Sequence, residues 1–131
     1  MEIPEGDDIV AALRHFGKAL MKTILSEQIV ALNRLVLSEA TRFPHIAEMF
    51  YDRGPRRGKA RLAEYFKKAM DRRLLRQGDP MIAALQFSGL CQSGAFEKKL
   101  LNLKKSWSAA SIDAEIELSI DTFYRGWQPE N

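Results

Sequence analysis

Cysteine occurs once, at Cys91, so no disulfide can form within the chain. Long apolar runs are missing too. The longest uncharged stretch, Met81 to Phe96, is shorter than the ~20 residues a membrane-spanning helix requires, and Gln86, Gln92 and two glycines interrupt it. The opening Met-Glu-Ile-Pro-Glu-Gly has neither the basic nor the apolar part of a signal peptide, which points to a reducing cytoplasm and no membrane partner. Histidine appears only at His15 and His45, on different segments. Neither has a second histidine at i+4, and His45 with Glu48 at i+3 reads as a surface pair on its own helix, so no metal ligands are assigned. Gly-x-Ser-x-Gly, phosphate-loop and dinucleotide fingerprints are absent, and Cys91 lies among apolar residues that would raise a thiol's pKa. No catalytic residue and no cofactor is therefore expected. No period of 20 to 50 residues recurs, which argues against a solenoid.

What is present is an ordinary globular composition. Of the 131 residues 46% are hydrophobic and 28% charged, which disfavours disorder, and the length suits one domain. The net charge of +3, from 20 basic and 17 acidic side chains, is too small to imply nucleic acid by itself. Its distribution is uneven: nine basic and two acidic residues between Pro55 and Gln77 make that stretch +7.

Apolar spacing predicts five helical segments and no strands. The first starts at Asp7 or Asp8 and carries Ile9, Leu13, Phe16, Leu20 and Ile24 to about Leu25. Ser26 caps a second, with Ile29, Leu32, Val36, Ala40 and Phe43 inside. Proline removes a backbone donor and pushes the residue before it out of the helical region, so Pro44 and Pro55 each end one helix and open the next. Leu62, Phe66, Ala69 and Met70 form the core stripe of the long basic helix running toward Gln77. Asp79-Pro80 opens a second long helix that carries the uncharged run, and a last helix from Ser111 presents Ile112, Ile116, Ile120 and Phe123 before stopping at Gly126. The expected fold class is all-α, a bundle of five to six helices.

The order Glu39-Ala40-x-Arg42-Phe43-Pro44, then Phe50-Tyr51, then Gly54-Pro55 ahead of a long basic helix is specific. With Asp79-Pro80 and the closing Phe123-Tyr124-Arg125-Gly126-Trp127, it resembles the C-terminal regulatory domain of tetracycline-repressor-like (TetR/AcrR) transcription factors, in particular the AefR-like subgroup, over roughly residues 8 to 127. The resemblance implies a single regulatory domain over residues 1–131, with the family's DNA-binding helix-turn-helix preceding this region and having no counterpart here. It implies transcriptional control, usually repression relieved by a ligand, with this chain supplying sensing and dimerisation and no sequence-specific DNA contact of its own.

Two sets of site residues follow from that resemblance. A small hydrophobic or aromatic effector held between the helices would be walled by Phe16, Leu20, Leu35, Phe43, Met49, Phe50, Phe66, Met70 and Phe87, with His45, Tyr65 and Gln86 as polar contacts. A homodimer would join the helices at about 80–101 and 112–126 with their symmetry mates. Ala84, Ser88, Gly89, Cys91, Gln92 and Ser93 on the first, with Ile116, Ile120, Phe123 and Trp127 on the second, are its interface candidates. Two alternatives stand beside it: a standalone helical adaptor that binds protein through the Met81 to Phe96 surface, and a non-specific nucleic-acid-binding domain using the basic 55–77 helix.

Overall fold

The computed structural model describes residues 8–130. Within them the chain forms seven helices and no strand: α1 Ile9–Ile24, α2 Glu27–Glu39, α3 Pro44–Arg53, α4 Pro55–Asp71, α5 Pro80–Gln92, α6 Ala95–Leu100 and α7 Ala109–Trp127. Their starts follow local chemistry. The Asp8 carboxylate accepts from the Ala11 amide at 2.9 Å, the Ser26 hydroxyl from Ile29 at 3.3 Å, Asp79 from Met81 at 2.8 Å and Ser108 from Ser111 at 3.1 Å. Each satisfies an amide that the first helical turn leaves unpaired. Pro44 and Pro55 open α3 and α4 as expected.

Three boundaries differ from the sequence reading. The basic helix ends at Asp71 and not near Gln77, because Arg73 adopts a left-handed φ of 62°. The Leu74 amide then donates to the Ala69 carbonyl and Arg73 to Met70, a Schellman closure with arginine where glycine is usual. The turn drops Leu75 into the core. The uncharged helix ends at Gln92, since Ser93 and Gly94 are both left-handed at φ 37° and 85°, and α6 is a separate element. Finally, α7 begins on Ser108 and runs through Gly126, with Gln128 donating to the Tyr124 carbonyl.

The core lies where α4, α5, α7 and α1 pack on one another. Phe66 stacks on Phe123 at 5.2 Å, Phe87 meets Phe123 edge-on at 5.4 Å, and Phe16 reaches Phe87 at 6.1 Å. Trp127 extends the column and donates through Nε1 to Gln86 Oε1 at 2.9 Å. At the α1–α7 crossing there is room for no side chain at Gly17, where a Cβ would stand 2.9 Å from Ile116 Cγ2. The stripes expected on α1 and α4 face this core, with Leu20 and Ile24 packed against its edge. On α2 the buried residues are Val30 and Val36, while Leu32 lies exposed, as does Phe43, which falls beyond the end of α2 at the start of α3.

A second set of contacts ties α6 to the α1–α2 corner. Lys99, a buried lysine, donates through Nζ to the Leu25 carbonyl at 2.6 Å and pairs with Glu27 at 2.9 Å. Arg34 donates to the Lys99 and Leu100 carbonyls at 2.8 and 3.0 Å, closing the exposed end of α6. The Arg14–Glu117 pair at 2.6 Å joins α1 to α7 on the outside.

Candidate functional site

A cavity of about 440 Å³ opens between α1, α2, the α3–α4 junction and the end of α5, inside the ~300–1,000 Å³ range of small-molecule sites. Its floor is Phe16 and Ser88, both buried. Leu20 and Ile24 of α1 and Ile29 of α2 make its apolar walls, and Phe50, Pro55 and Phe96 complete them from α3, α4 and α6. The left-handed turn at Ser93–Gly94 is what folds Phe96 back to this position. Gly54 and Gly58 leave room at the entrance, and a Cβ on Gly58 would meet nothing within 4 Å.

Polar groups are few. Thr23, Asn33, Ser88 and Gln92 are uncharged, and Lys59 is the one charged side chain among the described lining residues. Asn33 donates to the Ile29 carbonyl at 2.9 Å, which leaves its Oδ1 as an acceptor. The Ser88 hydroxyl is buried with no hydrogen-bond partner. A neighbouring apolar groove of about 430 Å³ lies between α2 and α3, with Leu32, Val36, Ile46 and Met49 on its walls and Ile29 and Phe50 shared.

Of the effector candidates, the structure brings Phe16, Leu20 and Phe50 to the cavity and Met49 to the groove beside it. Phe66, Met70 and Phe87 fill the core, with Tyr65 packed against it. Leu35, Phe43 and His45 are exposed on the α2–α3 side, and Gln86 sits outside, engaged by Trp127. Spacing along one helix identifies an inward face. It does not tell whether that face meets another helix or a void, which is why Thr23, Asn33, Tyr51, Lys59 and Phe96 gave no signal.

The interface candidates divide as well. Ser88 and Gln92 line the cavity, and Ala84, Cys91, Ile116, Ile120, Phe123 and Trp127 are buried inside this chain. Burial pushes the Cys91 thiol up to about 12, against a smaller opposing effect of the Ser119 hydroxyl, so it behaves as a small core residue. Gly89 and Ser93 remain on the surface. Beside them α5 exposes Met81, Ile82 and Leu85, an apolar stripe at helical spacing, and α7 exposes Leu118.

The basic face of α4 is laced with acids: Arg56 pairs with Asp52, Lys67 with Asp71 and Lys68 with Glu64. That pattern belongs to a solvated helix surface. Among the described residues no helix is long and apolar enough to cross a membrane.

The all-helical fold has counterparts among known proteins. The family model described as AefR-like transcriptional repressor, C-terminal domain, matches residues 11–129. The chain belongs to that family. Its fold is shared by the flavonoid-responsive regulator FrrA, with a TM-score of 0.90, 31% identity and coverage of 100% of this chain and 67% of that one. A putative TetR-family transcriptional regulator from Mesorhizobium loti MAFF303099 gives a TM-score of 0.88 at 23% identity over 95% of this chain and 61% of its own. A TetR family regulator from Pseudomonas syringae pv. tomato str. DC3000 gives 0.78 at 17%, covering 98% and 66%. The chain thus spans about two thirds of the length of these structures or slightly less. No curated protein sequence matches it.

Proposed function

We propose that the chain is the effector-sensing and dimerisation domain of a cytoplasmic TetR-type transcriptional repressor, with no catalytic role. The observation that carries this reading is the cavity itself: a mostly apolar space, open on one side, with a few polar groups, in a fold whose family regulates transcription. Small aromatic compounds fit its ring-rich walls, and the flavonoid-responsive relative makes flavonoids the natural first panel. In the whole regulator, occupancy would alter the spacing of two DNA-binding heads carried by a dimer.

The exposed apolar stripe of α5, continued by α7, supports the dimer. Two copies joined there would bury on the order of 1,200–2,000 Å².

A thermal-shift panel of flavonoids and simpler aromatic compounds tests the sensing role. A binder present at ~100 times its Kd stabilises the fold by about 2.7 kcal/mol, which raises Tm by roughly 10 °C in a domain of this length. A panel that leaves Tm unmoved overturns the reading.

A further inference from the structure

Resting on the reading of the cavity as an effector site, we propose that its effector is an aromatic acid, a ring system bearing a carboxylate or acidic phenol whose anion pairs with Lys59.

The charge at this site is of one sign. Lys59 lines the cavity from the first turns of α4, and the remaining described lining side chains are neutral. Its ammonium lies 5.4 Å from the centre of the Tyr51 ring, which holds it at the entrance by cation–π attraction. No carboxylate lies within ion-pairing distance of it among the described residues, whereas Arg56, Lys67 and Lys68 on the same helix each have one. Lys59 is half-buried beside apolar walls, so its positive charge stands at the cavity without a counter-ion among the described residues. An anion with an apolar body would supply that counter-ion, and a cation would meet repulsion at the entrance.

The body of the ligand follows from the walls. Phe16, Phe50, Tyr51 and Phe96 present rings, and ring–ring contact favours an aromatic partner over a flexible chain. Ser88 supplies a separate indication that the space is built for a polar ligand. The residue is 2% exposed and lines the floor, and its buried hydroxyl has no partner, a state that a ligand acceptor or donor relieves.

The test uses two fluorescent probes with the same N-phenylnaphthylamine skeleton, one carrying a sulfonate (1-anilinonaphthalene-8-sulfonate) and one without it (N-phenyl-1-naphthylamine), titrated into the 131-residue chain. The anionic probe should bind about tenfold more tightly than the neutral one, the scale of one charge-assisted hydrogen bond. Lys59→Met should erase that advantage while changing the neutral probe's Kd by less than about twofold. Gly58→Phe, placed where a Cβ meets no neighbour, should abolish binding of both. Thr23→Trp at the rim serves the same purpose if that variant melts early. If both probes are lost on blocking the cavity but bind equally with and without Lys59, the aromatic-acid assignment is overturned and the cavity reading survives. Binding that blocking leaves unchanged overturns both.

Discussion

Gly17 sets how closely α1 can approach α7. Alanine is normally better than glycine inside a helix by up to ~1 kcal/mol, but here its methyl would stand 2.9 Å from the buried Ile116 Cγ2 and 3.4 Å from Cys91 Sγ. Overpacking of this kind costs ~1–3 kcal/mol, so the clash wins. Gly17→Ala should lower Tm by several degrees in a calorimetric melt, and Ile116→Val combined with it should recover part of the loss. The outer Arg14–Glu117 pair is weaker and differs in its pH dependence. Hydrogen bonding from Arg14 holds the Glu117 carboxyl below its ordinary value of 4.5. The folded pKa is then lower than the unfolded one, so the stabilisation is complete at neutral pH and disappears as pH falls through the folded value. Glu117→Gln should melt slightly below wild type at pH 7, with the gap shrinking as pH falls below the ordinary carboxyl value of 4.5. Both side chains are largely solvent-exposed, so the gap is small.

At the scale of elements, the caps and prolines were legible because each acts on its own neighbours: Asp8, Ser26, Asp79, Pro44 and Pro55 open the helices they were expected to open. The missed ends share a cause. Arg73 and Ser93 adopt left-handed backbone without being glycine, and what fixes them is tertiary: burial of Leu75 in one case and the return of Phe96 in the other. The same reasoning applies to the site. Phe16, Leu20 and Phe50 were recognisable as inward residues, but Lys59 looked like one more charge on a basic helix, and most of the residues that share the cavity with it lie on α1, α2, α5 and α6. Gly94 is the position where the α5–α6 break is most sensitive. At φ 85° an alanine incurs the left-handed penalty of ~1–2 kcal/mol, although open space surrounds it. Gly94→Ala should therefore lower stability by about that amount in urea denaturation, with the m-value unchanged.

For the whole molecule, the proposed dimer gives the clearest prediction. Leu85 is 44% exposed in the single chain, so a charge there is tolerated by the monomer fold but not by a dry interface. Light scattering should give twice 14.9 kDa for the wild type above micromolar concentration and a monomer mass for Leu85→Arg, with unchanged circular dichroism. A wild type that remains at 14.9 kDa removes the dimer. The fastening of α6 bears on how the domain moves. Lys99 and Arg34 attach that six-residue helix to the α1–α2 corner by side chains alone, while its link to α5 is a break in the backbone hydrogen-bond ladder. Cooperative opening follows such bonds more closely than chain order. In amide hydrogen exchange, α6 should therefore behave as one unit with residues 25–34, releasing its protons together with the corner it grips while the adjoining α5 stays closed.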